Sequence, residues 1–257
     1  MHHEYDEFVD ADRRFVGRRR GPSREELIGI DKGLGAFMGS VYAWMAGGLG
    51  VSAAVAMWMG TQPELILAIF GSWLMWPVMI VPFILIIVLG SMMKGGDLTS
   101  PVVGSGVYLL ITGVMGLWLS GIGQMAWEDP AYASLVGQSL LITVGMFAGM
   151  SITGWITKKD LSGMGIFFMA GLWGLIFAMI GNVWIASVQF DFWISVIAVV
   201  LFAGLTAYDT QKIKKIYREG GGGHGLAIMG ALTLYLDFVN LFLHLLRIFG
   251  GNNSSSD

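Results

Sequence analysis

Long apolar runs recur from about residue 34 to residue 249, and the polar residues gather in the gaps between them. Each run can cross about 30 Å of hydrocarbon as a helix. The pattern places seven spans, at roughly 34–59, 72–93, 101–123, 134–156, 163–186, 191–215 and 225–249. They are numbered one to seven below. A β-barrel would show alternating strands of about ten residues instead. The predicted fold class is an all-α membrane protein, a seven-transmembrane-helix bundle. Pro101, after Thr99 and Ser100, marks a helix start with proline in the first turn. Pro77 and Pro82 fall inside span two and predict a kink there, or mark where it packs on its neighbours. Segment 62–71 is apolar but short and suits the membrane interface. The chain divides into a charged cytoplasmic arm (1–32), a seven-helix transmembrane domain (33–250) and a short polar tail (251–257), with no internal repeat. The arm lacks the apolar core of a cleavable signal, so span one is expected to act as the insertion signal.

Composition agrees. Hydrophobic residues make up 55% of the 257, and charged residues only 13%, about half the share in a soluble domain. Cysteine is absent, which excludes disulfides, thiolate nucleophiles and cysteine-ligated metals. The 38 glycines suit close helix contact in lipid, and Gly113-Gly116-Gly121, Gly145-Gly149 and Gly171-Gly174 have the spacing for it.

The net charge of −3 matters less than where the charges lie. Arg13, Arg14, Arg18, Arg19, Arg20, Arg24 and Lys32 precede span one. Lys94 follows span two, Lys158 and Lys159 follow span four, and Lys212, Lys214, Lys215 and Arg218 follow span six. The loops after spans one, three and five contain no Lys or Arg. The positive-inside rule therefore puts the N-terminus in the cytoplasm and the tail outside. Trp58, Trp73, Trp127, Trp184 and Trp193 fall near the predicted outer interface, as an aromatic belt should. Arg247 is the one basic residue on the wrong side, and it is expected to snorkel or pair.

Two acids stand inside spans: Asp209 in span six and Asp237 in span seven. A carboxylate near mid-bilayer costs roughly 2.5–3.5 kcal/mol on insertion scales, which points to a polar cavity, a partner or a transport role. Spans six and seven form a hairpin turning at YREGGGGHG. At 1.5 Å per residue, Asp209 lies about 12 Å and Asp237 about 18 Å from that turn, close enough in depth to meet. Span seven also carries Thr233, Asp237, Asn240, His244 and Arg247 at intervals of four, three, four and three, which stacks them on one helix face. Such a stripe must face the bundle interior or water, so span seven is expected to be central. The stripe lines a pathway or forms a packed polar seam. Asn182, late in span five, is a further candidate for the pathway lining or a helix–helix hydrogen bond.

Two carboxyls in contact cannot both ionise cheaply, so a shared proton would hold spans six and seven together. Its loss would drive them apart or free them for a divalent cation, since carboxylate oxygens suit Ca²⁺. The same atoms could serve as pH sensor, gate and calcium site. Lys212, one turn from Asp209, is a candidate partner for it. Asp160 beside Ser162 reads as a helix-start device, Glu128-Asp129 as loop charge, and the basic cluster after span six as an anchor to anionic lipid.

Three segments resemble one family. FAGLTAYDTQKIKKIY (202–217) is similar to the signature of the Bax inhibitor-1 family, the transmembrane Bax inhibitor motif proteins, and the likeness points to a bacterial-type member. KKDLSGMG (158–165) resembles the segment before that family's fifth helix, and ALTLYLDFVNLFLHLLRIFG (231–250) its final helix. The likeness runs from about residue 33 to the end. It implies a seven-helix bundle with the last helix central, and a pH-sensitive calcium leak governed by an aspartate pair, here Asp209 and Asp237. Some members carry a basic latch near the end of the second helix. In VLGSMMKGGDL the only candidate is Lys94, since Met92 and Met93 cannot serve.

The expected partners are the lipid bilayer of a bacterial inner membrane and the calcium ion, as transported ion rather than cofactor. No cofactor and no nucleic acid is expected. An alternative is an interaction protein that modulates a membrane-anchored protease through the N-terminal arm. An enzyme is not expected. The GxGD motif of intramembrane aspartyl proteases is absent, and span seven has no lysine for a retinal Schiff base. Proton-coupled transport by the acidic pair stays open.

Overall fold

The computed structural model describes residues 24–94 and 101–253. Most of the expected arm, residues 1–23, lies outside the described residues, as do the tail from residue 254 and the side chain of Lys94. Among the described residues there are nine α-helices and no strand: α1 (Arg24–Gly60), α2 (Pro63–Phe70), α3 (Met75–Lys94), α4 (Pro101–Trp118), α5 (Ser120–Glu128), α6 (Pro130–Ile156), α7 (Gly165–Ile185), α8 (Val188–Gly220) and α9 (His224–Asn253). Five helical segments are long and apolar enough to cross a membrane alone. Two bent pairs, α2 with α3 and α4 with α5, bring the number to seven. The all-α membrane fold expected from the apolar runs is what forms.

The bends differ from the expectation. Span two is sharply broken, by 80°, but at Gly71–Leu74 between α2 and α3, ahead of both prolines. Pro77 sits in the first turn of α3, where its missing N–H would have had no partner anyway. Segment 62–71 is a short helix with no buried residue. Span three is bent by 47° at Leu119, which no proline marks. Its cause is contact with α1: a side chain at Gly123 would strike the Ala56 carbonyl, and one at Gly60 would strike the Gly123 backbone. The second half of the span turns to keep these backbones touching. Helix α1 begins at Arg24, inside the segment expected to be an arm.

Helix α9 is the axis of the bundle. It packs on α8, α1, α6, α4 and α3. In its most apolar stretch 61% of residues are buried, against 11% for span five. Among the described residues, span five packs chiefly on α8. The core around α9 joins Val41, Ile111, Phe147, Ala198, Leu234, Leu241 and their neighbours. Ser52, Tyr108, Thr112 and Tyr235 add a polar knot to it. The Ser52 hydroxyl donates to the Thr112 carbonyl at 2.7 Å, and the Tyr235 hydroxyl lies 2.7 Å from the Ser52 oxygen. Tyr108 donates to the Trp44 carbonyl at 2.9 Å. Spans one, three and seven are thereby tied at one level.

Only some of the glycines expected at helix contacts make them. A side chain at Gly116 would meet Ser52 and Val55, and one at Gly171 would meet Leu201. Gly113, Gly121, Gly145, Gly149 and Gly174 face open space. Gly154 is instead the close contact of α6, its Cα against the Ala207 carbonyl of α8.

Candidate functional site

Asp209 and Asp237 come together. The α8–α9 hairpin sets them side by side, 7% and 5% exposed, within reach of a carboxyl–carboxyl hydrogen bond. Such a bond requires a proton on one of the two, because an ionised carboxylate only accepts. Asp237 Oδ2 is buried with no hydrogen-bond partner among the described residues. Thr210, next to Asp209, reaches the Ser151 hydroxyl of α6 at 3.4 Å.

A cleft of about 150 Å³ between α1, α8 and α9 reaches Asp209. Asp209, Lys212, Ile213, Leu226 and Thr233 line it. It lies at the end of the bundle carrying Lys158, Lys159, Lys212, Lys214 and Lys215, here called the basic end. Lys212 shares the cleft but makes no ion pair with Asp209; its ammonium stands 5.9 Å from the Tyr208 ring centroid. Lys94, the other latch candidate, is undescribed at its side chain.

The stripe of α9 faces mainly α8. His244 Nδ1 lies 3.3 Å from the Ser195 hydroxyl, and its ring stacks on Phe202. Arg247 pairs with Asp191 at 3.3 Å, the pairing expected of a basic residue on the wrong side. Asn240 is half-buried and donates to the Leu236 carbonyl of its own helix at 2.8 Å, and Thr233 donates to Met229 at 3.0 Å. A second cavity, about 600 Å³, opens at the end away from the lysines. Tyr132, Gln189, Asp191, Leu243 and Arg247 are among its lining residues. Asp237, Asn240 and His244 line neither cavity. From Thr233 in the cleft to Leu243 in the second cavity, α9 runs about 15 Å through packed protein.

Asn182 belongs to neither cavity. Its side-chain oxygen accepts the Ser187 N–H at 3.2 Å and its carbonyl accepts the Ala186 N–H, so it builds the turn between α7 and α8. The described bonds of the Asn182 side chain are thus local to that turn. Asp160 accepts the Ser162 N–H at 2.9 Å ahead of α7, as expected. Asp129 is not a free loop charge: it caps α6 by accepting the Ala131 N–H at 2.8 Å.

Two participants escaped the sequence reading. Asp191 stands at the first turn of α8, and only its Arg247 contact marks it. Gln211 carries a stronger role: its Oε1 accepts the Leu161 N–H at 2.7 Å and its amide donates to the Lys159 carbonyl at 2.8 Å. It sits two residues after Asp209, but nothing in a lone Gln signals a loop 50 residues away.

Among the described residues no group of three or more His, Asp or Glu side chains could hold a metal. Two carboxyls offer only part of the roughly six to eight oxygens that Ca²⁺ takes, which suits a passing ion better than a resident one.

The chain is similar to several known proteins. The family described as inhibitor of apoptosis-promoting Bax1 matches residues 34–254. The inner membrane protein YbhL of Escherichia coli K12 is 35% identical over 90% of this chain and 98% of its own length. The protein YrjE of Lactococcus lactis is 38% identical over 85% of this chain and 92% of its own. A protein of Caulobacter vibrioides is 35% identical over 90% of this chain and 94% of its own.

Proposed function

The chain belongs to the Bax inhibitor-1 family, and from that premise we propose that it is a pH-sensitive calcium leak channel gated by Asp209 and Asp237. It would sit in a bacterial inner membrane, in line with the description of YbhL, with its basic end in the cytoplasm. What supports this reading is the buried carboxyl pair, of which Asp209 lines a cleft, followed by a packed stretch and then a second cavity. Two cavities separated by packed protein are what a closed pathway would need.

The gate works by proton count. With a proton between them, Asp209 and Asp237 hold α8 against α9 and the packed stretch stays shut. Without it, two negative charges face each other in a low-dielectric site, where repulsion is strong. The helices separate, and the cleft extends past Asp237 toward Asn240 and His244. The freed oxygens then attract a divalent cation. The closed form binds one more proton than the open form, so raising the pH favours opening, by at most about tenfold per pH unit for one proton.

The test is fluorescence-monitored Ca²⁺ influx into proteoliposomes across a pH series, with Asp209→Asn and Asp237→Asn alongside the unaltered chain. Influx should rise with pH in the unaltered chain alone. Influx that ignores pH, or keeps its pH response in both variants, removes the aspartate pair as gate.

A further inference from the structure

The basic end holds a second pocket that the gate does not use. Its volume is about 520 Å³, and it lies between the connection from α6 to α7 and the last turns of α8. Lys158, Lys159, Lys214, Lys215 and Arg218 contribute five cationic side chains to its lining, and Asp160 the single acid. The Ser162 side chain and backbone hydrogen bonds hold the Asp160 carboxyl below the usual carboxylate range, so it stays an acceptor committed to that turn.

This pocket is built rather than merely charged. Gln211 clamps the loop from both sides through the Leu161 N–H and the Lys159 carbonyl. Lys214 donates to the Trp155 carbonyl and lies 5.7 Å from the Trp155 ring centroid. Lys215 reaches the Ser162 hydroxyl at 3.4 Å. Lys158 and Lys159 are exposed, and among the described residues neither ammonium makes a hydrogen bond or ion pair. The loop is thus held in a shape that gathers cations around one hollow.

Its apolar side says where the ligand comes from. Trp155 and Ile156, exposed by 37% and 67%, line the pocket and also continue the outward apolar face of α6. A soluble anion has no use for that wall, whereas a lipid would lay its first acyl carbons along it. A Trp at the head of a spanning helix marks headgroup depth.

We propose that this pocket binds the phosphate of an anionic phospholipid headgroup. Lys158, Lys159 and Lys215 supply the charge, Gln211 and Lys214 hold the loop, and Trp155 and Ile156 receive the start of the acyl chains. Because Gln211 and Lys214 follow Asp209 on the same helix, an occupied pocket ties that end of α8 to the loop before α7.

Native mass spectrometry of the full chain in detergent tests it, with phosphatidylglycerol and phosphatidylcholine as probes and glycerol phosphate as soluble competitor. The chain should retain phosphatidylglycerol over phosphatidylcholine, and millimolar glycerol phosphate should not displace it. The combined variant Lys158→Gln, Lys159→Gln, Lys215→Gln should lose on the order of 10–100-fold in retention, from three charges near a membrane surface. The matching triple Arg variant and Lys32→Gln should retain the lipid. Lys159→Glu, at an exposed side chain, gives an independent loss in the same direction. Equal retention by the triple Gln variant and the unaltered chain overturns the site. Displacement by glycerol phosphate assigns the pocket to soluble phosphates and overturns the lipid.

Discussion

Toward the end of the bundle away from the lysines, α9 presents a base to an acid: Arg247 meets Asp191 at 3.3 Å, with both side chains partly exposed. About 15 Å along the same helix, Asp237 meets another acid, buried, with one oxygen left without a donor. Opposite charges at a wet rim are a common and cheap arrangement. Like charges in a dry core are neither. A chain concerned only with cohesion would have put a neutral residue at one of the two acid positions, as α9 does elsewhere with Leu234 and Leu241. Under the proposed function, the difference separates holding the helices together from letting them part.

The first way to break the contrast is Asp237→Asn. An amide donates to Asp209 at every pH, so the contact no longer depends on a proton. The pH response of Ca²⁺ influx should flatten to within about twofold, where one proton permits about tenfold per unit. Asp209→Asn should do the same.

A smaller effect sharpens it from the side of cohesion. The Ser52–Tyr235 knot is fully buried and contains no charge. Ser52→Ala leaves the Tyr235 hydroxyl without its partner and should cost about 1–3 kcal/mol. Tyr235→Phe removes the hydroxyl itself and should cost less, about 0.6–1.7 kcal/mol. Both are read by unfolding in detergent. Neither should change the shape of the pH profile, because neither touches the acid pair.

Arg247→Gln should matter least. The pair is half in water, so its loss should cost under about 1 kcal/mol, and less at high salt. A large destabilisation, or a shift in the pH dependence of influx, would merge the two ends of α9 into one device.

The same helix shows what the chain's letters disclose. The 4-3-4-3 spacing from Thr233 to Arg247 made a face visible, and the hairpin's length placed Asp209 and Asp237 at one depth. Both are local arithmetic on a regular helix. What stayed hidden depends on neighbours. Leu119 carries no breaker, and its bend follows from Gly123 lying on Ala56. Gly145 and Gly149 have the four-residue spacing that suits close helix contact yet face open space, while Gly154 does the packing. Pro77 and Pro82 drew attention from Gly71–Leu74, where the 80° turn occurs. Asn182 looked like a polar intruder in a span because its turn, closed by a left-handed Ala186, starts within reach of its side chain.

The helix at the centre of this bundle follows the other described spans in the chain. Until residues 224–253 leave the ribosome, six earlier spans stand around a slot lined by Ser52, Ser195 and Asp209 that only α9 can fill. The nascent chain therefore holds polar groups in lipid without their mates, a state that insertion machinery and proteases can recognise. A copy cut before residue 224 would keep that slot open, and the arrival of α9 fills it.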